Sequence, residues 1–109
     1  MKKEMEWNGK NGRRVDLKKW IESERAKNKD FREAYDVART STEIARKLAK
    51  LRESKGLSQA AIAKMLKTSQ AAISRLENPD YQGHSVRMIV RYAKALGQEV
   101  AISFHGASR

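Results

Sequence analysis

Residues 57–77 constrain the fold of this chain more than any other stretch. They read LSQAAIAKMLKTSQAAISRLE and contain two short apolar-periodic segments, opened by Ser58-Gln59 and Ser69-Gln70. Serine is a good N-cap, because its hydroxyl accepts a hydrogen bond from an unpaired amide of the first helical turn. Apolar residues then recur at helical spacing in both segments. They are Ile62, Ala63 and Leu66 in the first segment, and Ile73 and Leu76 in the second.

The link between the two segments is short. Only Leu66-Lys67-Thr68 separates them, which leaves room for a tight turn. Two short helices joined in this way form a helix-turn-helix, and the second helix of such a unit normally enters the major groove of DNA. The stretch therefore predicts a DNA-binding unit.

Length and charge bound the class of protein. The 109 residues suffice for one compact domain with a modest core and an extension. The formal net charge of +11 favours polyanionic partners, nucleic acid before anionic membrane. The chain has no cysteine, which excludes disulfides and thiol-based metal sites, and no apolar run approaches the roughly 18 residues of a membrane span. We expect a soluble, cytoplasmic protein that does not enter a membrane.

Residues 1–41 are interpreted as an N-terminal arm followed by accessory helices. The polar segment 1–14 is interpreted as a frayed terminus, with a DNA-contacting arm as the alternative. Asp16 is a candidate cap for a helix ending at Lys27, and Asp30 for a second helix, FREAYDVA. Both helices are short and need a surface to pack on, either the domain's own core or a protein partner.

The helix before the central motif can begin in two ways. Thr40 and Glu43 fit a capping box, which predicts a separate helix of residues 44–55 ending at Gly56. The alternative is one uninterrupted helix from Asp30 to Lys55. The first interpretation is preferred, and it makes residues 42–109 the DNA-binding domain.

The C-terminal part of the chain predicts one more helix and a strand. Ser85 caps a helix that ends at Gly97, with Val86, Ile89, Tyr92, Ala93 and Leu96 facing inward. Residues 99–104 alternate and are β-branched, which predicts a strand. A lone strand cannot satisfy its own backbone, so pairing with the same strand of a second subunit around a two-fold axis is the economical arrangement.

Residues 51–96 resemble the Cro/repressor-type (XRE) family of helix-turn-helix proteins. The match consists of LRESKGLSQ (51–59), AKMLKTSQAAISRLEN (63–78) and AKALG (93–97), together with the spacing of Arg52, Gln59, Gln70 and Glu77. The resemblance implies a mainly α fold: a five-helix domain, here with extra N-terminal helices and one C-terminal β-strand, that binds operator DNA as a dimer. It also implies an ion pair of Arg52 with Glu77 and a brace from Gln59 to Gln70.

Lys67 departs from the family pattern. The family usually has glycine or another turn-tolerant residue there, because that residue tends to adopt positive φ. A lysine in this conformation costs on the order of 1 kcal/mol. The cost can be tolerated if Lys67 also reaches a phosphate.

The flanking segments are similar to the HigA-type antitoxins. These segments are DFREAYDVAR, RLENPDY and LGQEVAISF. Proteins of that group neutralise a RelE-like ribonuclease toxin and repress their own operon. The resemblance implies a toxin partner, and an apolar face of Leu17, Trp20 and Ile21 would be available to bind it. The alternatives are a stand-alone repressor without a toxin, and a bridging-type adaptor to the transcription machinery.

The candidate base-reading residues follow from helix geometry. Ile73 and Leu76 must face inward, which at 100° per residue turns four side chains outward. Glutamine can bond adenine, arginine can fork onto guanine and alanine can touch a thymine methyl group. These four residues are Gln70, Ala71, Ser74 and Arg75, with Gln70 and Arg75 as first choices for base contacts. The alternative is an ordinary solvated helix face.

Candidate phosphate contacts flank this helix. They are Gln59, Lys67, Thr68, Ser69 and Asn78, with Ser85 as a further candidate. For Ser69 and Ser85 the capping role alone explains the residue.

Catalysis and cofactors have little support in the sequence. His84 and His105 lie in a loop and a tail, and neither has partners at metal-ligand spacing. His84 is interpreted as a loop residue that grazes the DNA backbone. No Gly-rich phosphate loop and no nucleophile elbow is visible. We therefore expect neither an enzyme nor a cofactor-binding protein.

Overall fold

The computed structural model describes residues 6–7 and 14–106 and is mainly helical in this part. Its helices are α1 (Leu17–Lys27), α2 (Lys29–Ser54), α3 (Gln59–Met65), α4 (Gln70–Leu76) and α5 (Val86–Ala95). Two short strands, β1 (Glu6–Trp7) and β2 (Arg14–Val15), pair antiparallel. By its internal contacts the chain divides into two compact units, residues 1–39 and residues 40–109. No helix among the described residues is both long and apolar enough to cross a membrane.

Four helices begin at the predicted cap residues. In each case the side-chain oxygen of the cap accepts a hydrogen bond from the backbone amide three residues later, at 3.0–3.3 Å. The cap satisfies one of the amides that a helix start leaves unpaired. The caps are Asp16 for α1, Ser58 for α3, Ser69 for α4 and Ser85 for α5.

Helix α2 is uninterrupted, so the predicted break at Thr40 was wrong and the alternative of one long helix holds. Threonine and serine lower helix propensity by only a few tenths of a kcal/mol, which does not end a helix whose neighbouring turns are buried. Ser41 and Ala45 are both buried in this part of α2. The N-cap of α2 is also two residues earlier than predicted: Asn28 Oδ1 accepts the amide of Phe31 at 3.0 Å, and the predicted cap, Asp30, lies in the first turn.

The hydrophobic core of residues 40–109 lies between α2, α3, α4 and α5. All five apolar residues predicted from the central motif are buried. The core cluster consists of Leu48, Ile62, Ala63, Leu66, Ile73, Leu76, Tyr92 and Leu96. The prediction for Val86 was wrong, because this side chain is 67% exposed. Val86 is the first residue of α5, one turn before that helix reaches the core.

Three helices end with the same backbone motif. Gly56, Lys67 and Gly97 have φ of 69°, 56° and 75°. In each case the following amide donates to a carbonyl five residues earlier, as Thr68 N does to Ala63 O at 2.9 Å. This is the Schellman pattern, in which a left-handed residue lets the chain turn while satisfying the last carbonyls. The predicted positive φ of Lys67 is therefore confirmed.

Residues 98–106, here called the tail, contain no regular secondary structure, so the predicted strand is not formed. A strand requires a neighbouring strand, and residues 40–106 contain none. Ile102 and Phe104 are 69% and 94% exposed.

The helix count also differs from the prediction. The described residues contain five helices in total, whereas the prediction was five in the DNA-binding domain with further helices before it.

The N-terminal unit contains an aromatic cluster between α1 and the start of α2. Trp20 meets Phe31 edge-on with ring centroids 5.8 Å apart, and Phe31 stacks on Tyr35 at 6.2 Å. The guanidinium of Arg25 lies over the Tyr35 ring and donates to Asp36 Oδ1 at 2.8 Å. These contacts join α1 to α2, while Trp20 remains 48% exposed. The prediction of a frayed arm over residues 1–14 lies largely outside the described residues, although the β1–β2 pair was not foreseen.

Candidate nucleic-acid interface

The outer face of α4 carries the four predicted base-reading residues. Gln70, Ala71, Ser74 and Arg75 are all exposed, and they are called the reading face from here on. Ile73 and Leu76 lie on the opposite side of the helix and are buried. The seven-residue helix thus presents two long polar side chains and two short ones to solvent. This combination can hydrogen-bond to base edges in a major groove.

The predicted phosphate-contacting residues before and after α4 differ in exposure and in the hydrogen bonds that their side chains already make. Lys67 and Ser69 are exposed and Thr68 is half-buried, so the turn before α4 is accessible. The Ser69 hydroxyl also caps α4 through the amide of Ala72 at 3.0 Å. Asn78 is exposed, but its Oδ1 accepts the amide of Asp80 at 2.8 Å, which leaves the side-chain NH₂ as its available donor.

Gln59 is turned towards the end of α4. Its Nε2 donates to Glu77 Oε1 at 3.0 Å. The predicted brace from Gln59 to Gln70 was therefore wrong, because Glu77 is the partner. A carboxylate is the stronger acceptor, since a hydrogen bond to an ionised group is stronger than one between neutral amides.

The predicted ion pair between Arg52 and Glu77 is present and bidentate. Arg52 Nε donates to Oε2 at 2.8 Å and Nη2 donates to Oε1 at 2.9 Å. Arg52 Nη1 donates to the carbonyl of Leu57 at 2.8 Å. The two charged side chains are only 12% and 5% exposed. The pair joins α2 to the C-terminal end of α4.

Tyr92 makes a further polar contact with Glu77, which the sequence analysis did not predict. Its fully buried hydroxyl donates to Glu77 Oε2 and lies 3.0 Å from the carbonyl oxygen of Leu48. The helical pattern identified Tyr92 only as an inward-facing residue. A buried tyrosine hydroxyl normally requires a partner, and that requirement was the available signal. Arg52, Gln59, Glu77 and Tyr92 are called the Glu77 cluster.

The Glu77 cluster shifts the acid–base equilibria of its members. Burial tends to raise the pKa of the Glu77 carboxyl, but the hydrogen bonds from Arg52, Tyr92 and Gln59 outweigh it, so this pKa lies below its ordinary value. The hydrogen bond to Glu77 raises the pKa of Arg52. Burial and the neighbouring carboxylate raise the pKa of Tyr92. At neutral pH the cluster therefore contains a carboxylate, a guanidinium and a neutral phenol.

Two further side chains occupy helix ends next to the reading face. His84 Nε2 lies 2.6 Å from the carbonyl oxygen of Leu76, the last residue of α4. Since a carbonyl only accepts, Nε2 carries the proton and donates. Arg91 Nη2 donates to the carbonyl of Leu66 at 2.8 Å, at the end of α3. His84 is half-buried and packs edge-on against Tyr81 at 5.0 Å, so it has structural contacts, and its position at the DNA backbone stays a prediction.

No metal site is visible among residues 14–106, where no three His, Asp or Glu side chains cluster closely enough to hold an ion. An open groove of about 320 Å³ lies between α2, α5 and the tail. Its floor is largely apolar, with Leu48, Leu51, Ile89 and Val100 among the lining residues.

Comparison with known proteins identifies the domain. Residues 28–105 match a family model described as a helix-turn-helix domain. No significant match was found among curated proteins or solved structures. The matched region begins at Asn28, the cap of α2, and includes α3, α4 and α5. Because this region covers well over half of the sequence, the chain belongs to the helix-turn-helix domain family, whose members bind DNA.

Proposed function

We propose that this protein is a sequence-specific transcriptional regulator that reads operator DNA with the exposed face of α4. The observation that carries the proposal is the contrast between the two sides of this helix. One side is buried in the core, and the other consists of Gln70, Ala71, Ser74 and Arg75, all exposed. A short helix held by its apolar side, with polar side chains facing outward, is the arrangement that a recognition helix needs.

The chemistry of the reading face favours direct base contacts by its two long side chains. Gln70 can bond N6 and N7 of adenine, and Arg75 can fork onto O6 and N7 of guanine. Lys67, in the turn before α4, carries an exposed ammonium group suited to a phosphate. Phosphate contacts position a protein on DNA without selecting sequence, whereas base contacts select. The two groups of residues should therefore respond differently to mutation.

Selection from a pool of random duplexes followed by binding measurements tests this proposal. We expect the selected duplex to bind far more tightly than a scrambled duplex at about 200 mM salt. Arg75→Ala and Gln70→Ala should lower this discrimination, each by about 1–3 kcal/mol. Lys67→Ala should weaken both duplexes alike and reduce the salt slope by about 1, whereas Lys55→Ala, at an exposed lysine after α2, serves as the charge-matched control. Equal binding of both duplexes by the wild type would refute sequence-specific regulation and favour the bridging-type adaptor.

A second function, neutralisation of a RelE-like toxin, is favoured by the N-terminal unit. Helix α1 precedes the region matched by the family, and Trp20 on this helix is about half exposed. An exposed indole beside an aromatic cluster is a typical anchor for a protein partner. The resulting antitoxin would also repress its own operon.

Coexpression with the product of the adjacent small gene tests the antitoxin hypothesis. We expect the two proteins to copurify and Trp20→Ala to weaken the complex, while Val86→Ala, at an exposed apolar residue of α5, leaves it unchanged. A toxin that copurifies equally well with the Trp20 variant would rule out this surface. An unrelated neighbouring gene would favour the stand-alone repressor.

We also propose that the protein binds DNA as a homodimer in which the tails pair around a two-fold axis. No backbone hydrogen bond joins residues 99–106 to the rest of the described chain, and the tail exposes Ile102 and Phe104. Antiparallel pairing would satisfy both backbones and cover these side chains. Sedimentation should give a dimer for the wild type and a monomer for the Ile102→Ser/Phe104→Ser variant. A wild-type monomer bound to a single half-site would contradict the dimer.

A further inference from the structure

Three helices hold one carboxylate at the end of the helix that bears the reading face. Glu77 is the C-cap residue of α4. Its oxygens accept hydrogen bonds from Arg52 on α2, Gln59 on α3 and Tyr92 on α5. The cap of α4 is therefore joined to all the other helices of the core cluster.

The hydrogen bond from Gln59 to Glu77 gives the Gln59 side chain a structural role. One hydrogen of its amide nitrogen is committed to Glu77 at 3.0 Å, and the residue is half-buried. Gln59 is also the first residue of α3. The contact therefore ties the beginning of α3 to the end of α4, across the turn of residues 66–69.

The hydroxyl of Tyr92 ties the same carboxylate to α5. Tyr92 is fully buried, and its hydroxyl lies between Glu77 Oε2 and the carbonyl oxygen of Leu48 on α2. A phenylalanine here would keep the ring and its packing but remove this polar connection. The hydroxyl can thus be tested separately from the core.

We propose that Tyr92 and Gln59 are positioning residues for base recognition: by holding the Glu77 carboxylate they fix the direction of α4, and hence of the reading face, relative to α3. This inference rests on the proposed function. Neither side chain touches DNA in this role. Each acts through Glu77.

A change in the direction of α4 would affect discrimination even though the helix is short. Seven residues span about 10 Å, so a tilt of about 10° about one end moves the side chains at the other end by roughly 2 Å. Base-edge hydrogen bonds weaken steeply with distance and angle, whereas a flexible lysine can follow a phosphate. Loss of the Glu77 contacts should therefore reduce the preference for the selected duplex more than the total electrostatic attraction to DNA.

The experiment compares Tyr92→Phe and Gln59→Leu with Ile62→Val, which removes one methyl group from a fully buried core residue of α3 outside the Glu77 cluster. For each full-length variant we would measure the melting temperature, the salt slope and a discrimination ratio. This ratio is the Kd for a scrambled duplex divided by the Kd for the duplex selected by the wild type. All binding is measured well below the lowest melting temperature.

We expect Tyr92→Phe and Gln59→Leu to lower the discrimination ratio by about tenfold with an unchanged salt slope, the equivalent of about 1.4 kcal/mol. Ile62→Val should lower the melting temperature. It should leave the discrimination ratio within about twofold of the wild type, because Ile62 lies outside the Glu77 cluster. Equal loss of discrimination in all three variants, or no loss in the Tyr92 and Gln59 variants, would overturn the inference while leaving the wild-type ratio high. A wild-type ratio near one would instead overturn the proposed function, and this inference with it.

Discussion

Lys67 and Gly97 occupy the same backbone position at the ends of two different helices, with φ of 56° and 75°. In both places the next amide donates to a carbonyl five residues earlier, at 2.9 Å. Glycine adopts this conformation without steric cost, whereas a side chain with a Cβ does not. The end of α3 therefore carries backbone strain that the end of α5 avoids.

Replacement of Lys67 by glycine should stabilise the fold and weaken DNA binding. We expect Lys67→Gly to raise the free energy of unfolding by up to about 1 kcal/mol through relief of this strain. DNA affinity should fall for all sequences, because the positive charge that we propose binds a phosphate is lost. Chemical denaturation and binding to selected and scrambled duplexes measure the two effects.

The reciprocal control is Gly97→Lys, at a position where a Cβ would meet no atom within 4 Å. It should destabilise by a similar amount, because only the φ strain is introduced. A Lys67→Gly variant that is less stable than the wild type would show that the lysine side chain makes a stabilising contact that outweighs the strain.

The lowered pKa of Glu77 predicts that the folded protein loses stability in acid. The pKa of Glu77 is lowered in the folded protein, so its contribution is present above the unfolded-state value of about 4.3 and is lost as the pH falls through the folded value. Urea denaturation between pH 7 and pH 3 should show this decrease, and Glu77→Gln should remove that part of it.

The same substitution should cost about 3–5 kcal/mol at pH 7, because it removes the close, buried counter-charge of the Arg52 guanidinium and leaves only the exposed Glu53 carboxylate nearby. Glu53→Gln is the matched control, since it removes an exposed carboxylate that lies 3.8 Å from Arg52 Nη2. Equal effects of the two substitutions would contradict the importance assigned to the buried pair.

Tyr92 predicts a separate loss of stability in alkali. Its pKa is raised by burial and by the neighbouring carboxylate, so the neutral phenol stabilises the fold below the unfolded-state pKa of about 10. This contribution is lost as the pH rises from there through the folded value. Tyr92→Phe should flatten the dependence of the unfolding free energy on pH above 10, as measured by urea denaturation.

A side chain at position 83 would cause a steric clash in the loop after α4. A Cβ on Gly83 would lie 2.6–2.9 Å from the hydroxyl oxygen and two ring carbons of Tyr81, whose side chain packs against the core. Gly83→Ala should therefore destabilise by about 1–3 kcal/mol, as expected for overpacking. In a Tyr81→Ala background the same change should cost much less, and a double-mutant cycle measures the difference. Additive effects would show that the ring moves aside freely.

The local signals in the sequence predicted much of the fold and the reading face. Serine caps and the spacing of Ile73 and Leu76 were sufficient, because a helix of known start and known buried side has a determined outer face. The positive φ of Lys67 was expected from the resemblance to the Cro/repressor-type family, in which the residue at this place tends to adopt it. These features depend on neighbours within a few residues.

Three of the errors concern contacts that depend on tertiary structure or on a partner. Thr40 has a good capping pattern, but the burial of Ser41 and Ala45 keeps the helix continuous there. Tyr92 meets a carboxylate 15 residues away and lies beside a carbonyl 44 residues away, which helical periodicity does not encode. The tail has the alternation of a strand, and only a partner could make it one.

Three side chains donate to the Glu77 carboxylate, and this limits which substitutions related proteins can carry at these positions. A change of one member leaves the others with an unmatched charge or an unsatisfied polar group, so single substitutions within the Glu77 cluster should be rare among relatives. Where Tyr92 is replaced by phenylalanine, we expect a compensating change at residue 59 or 77 in the same protein. The four positions should therefore vary together as one unit, while the reading face beside them changes freely from one operator to the next.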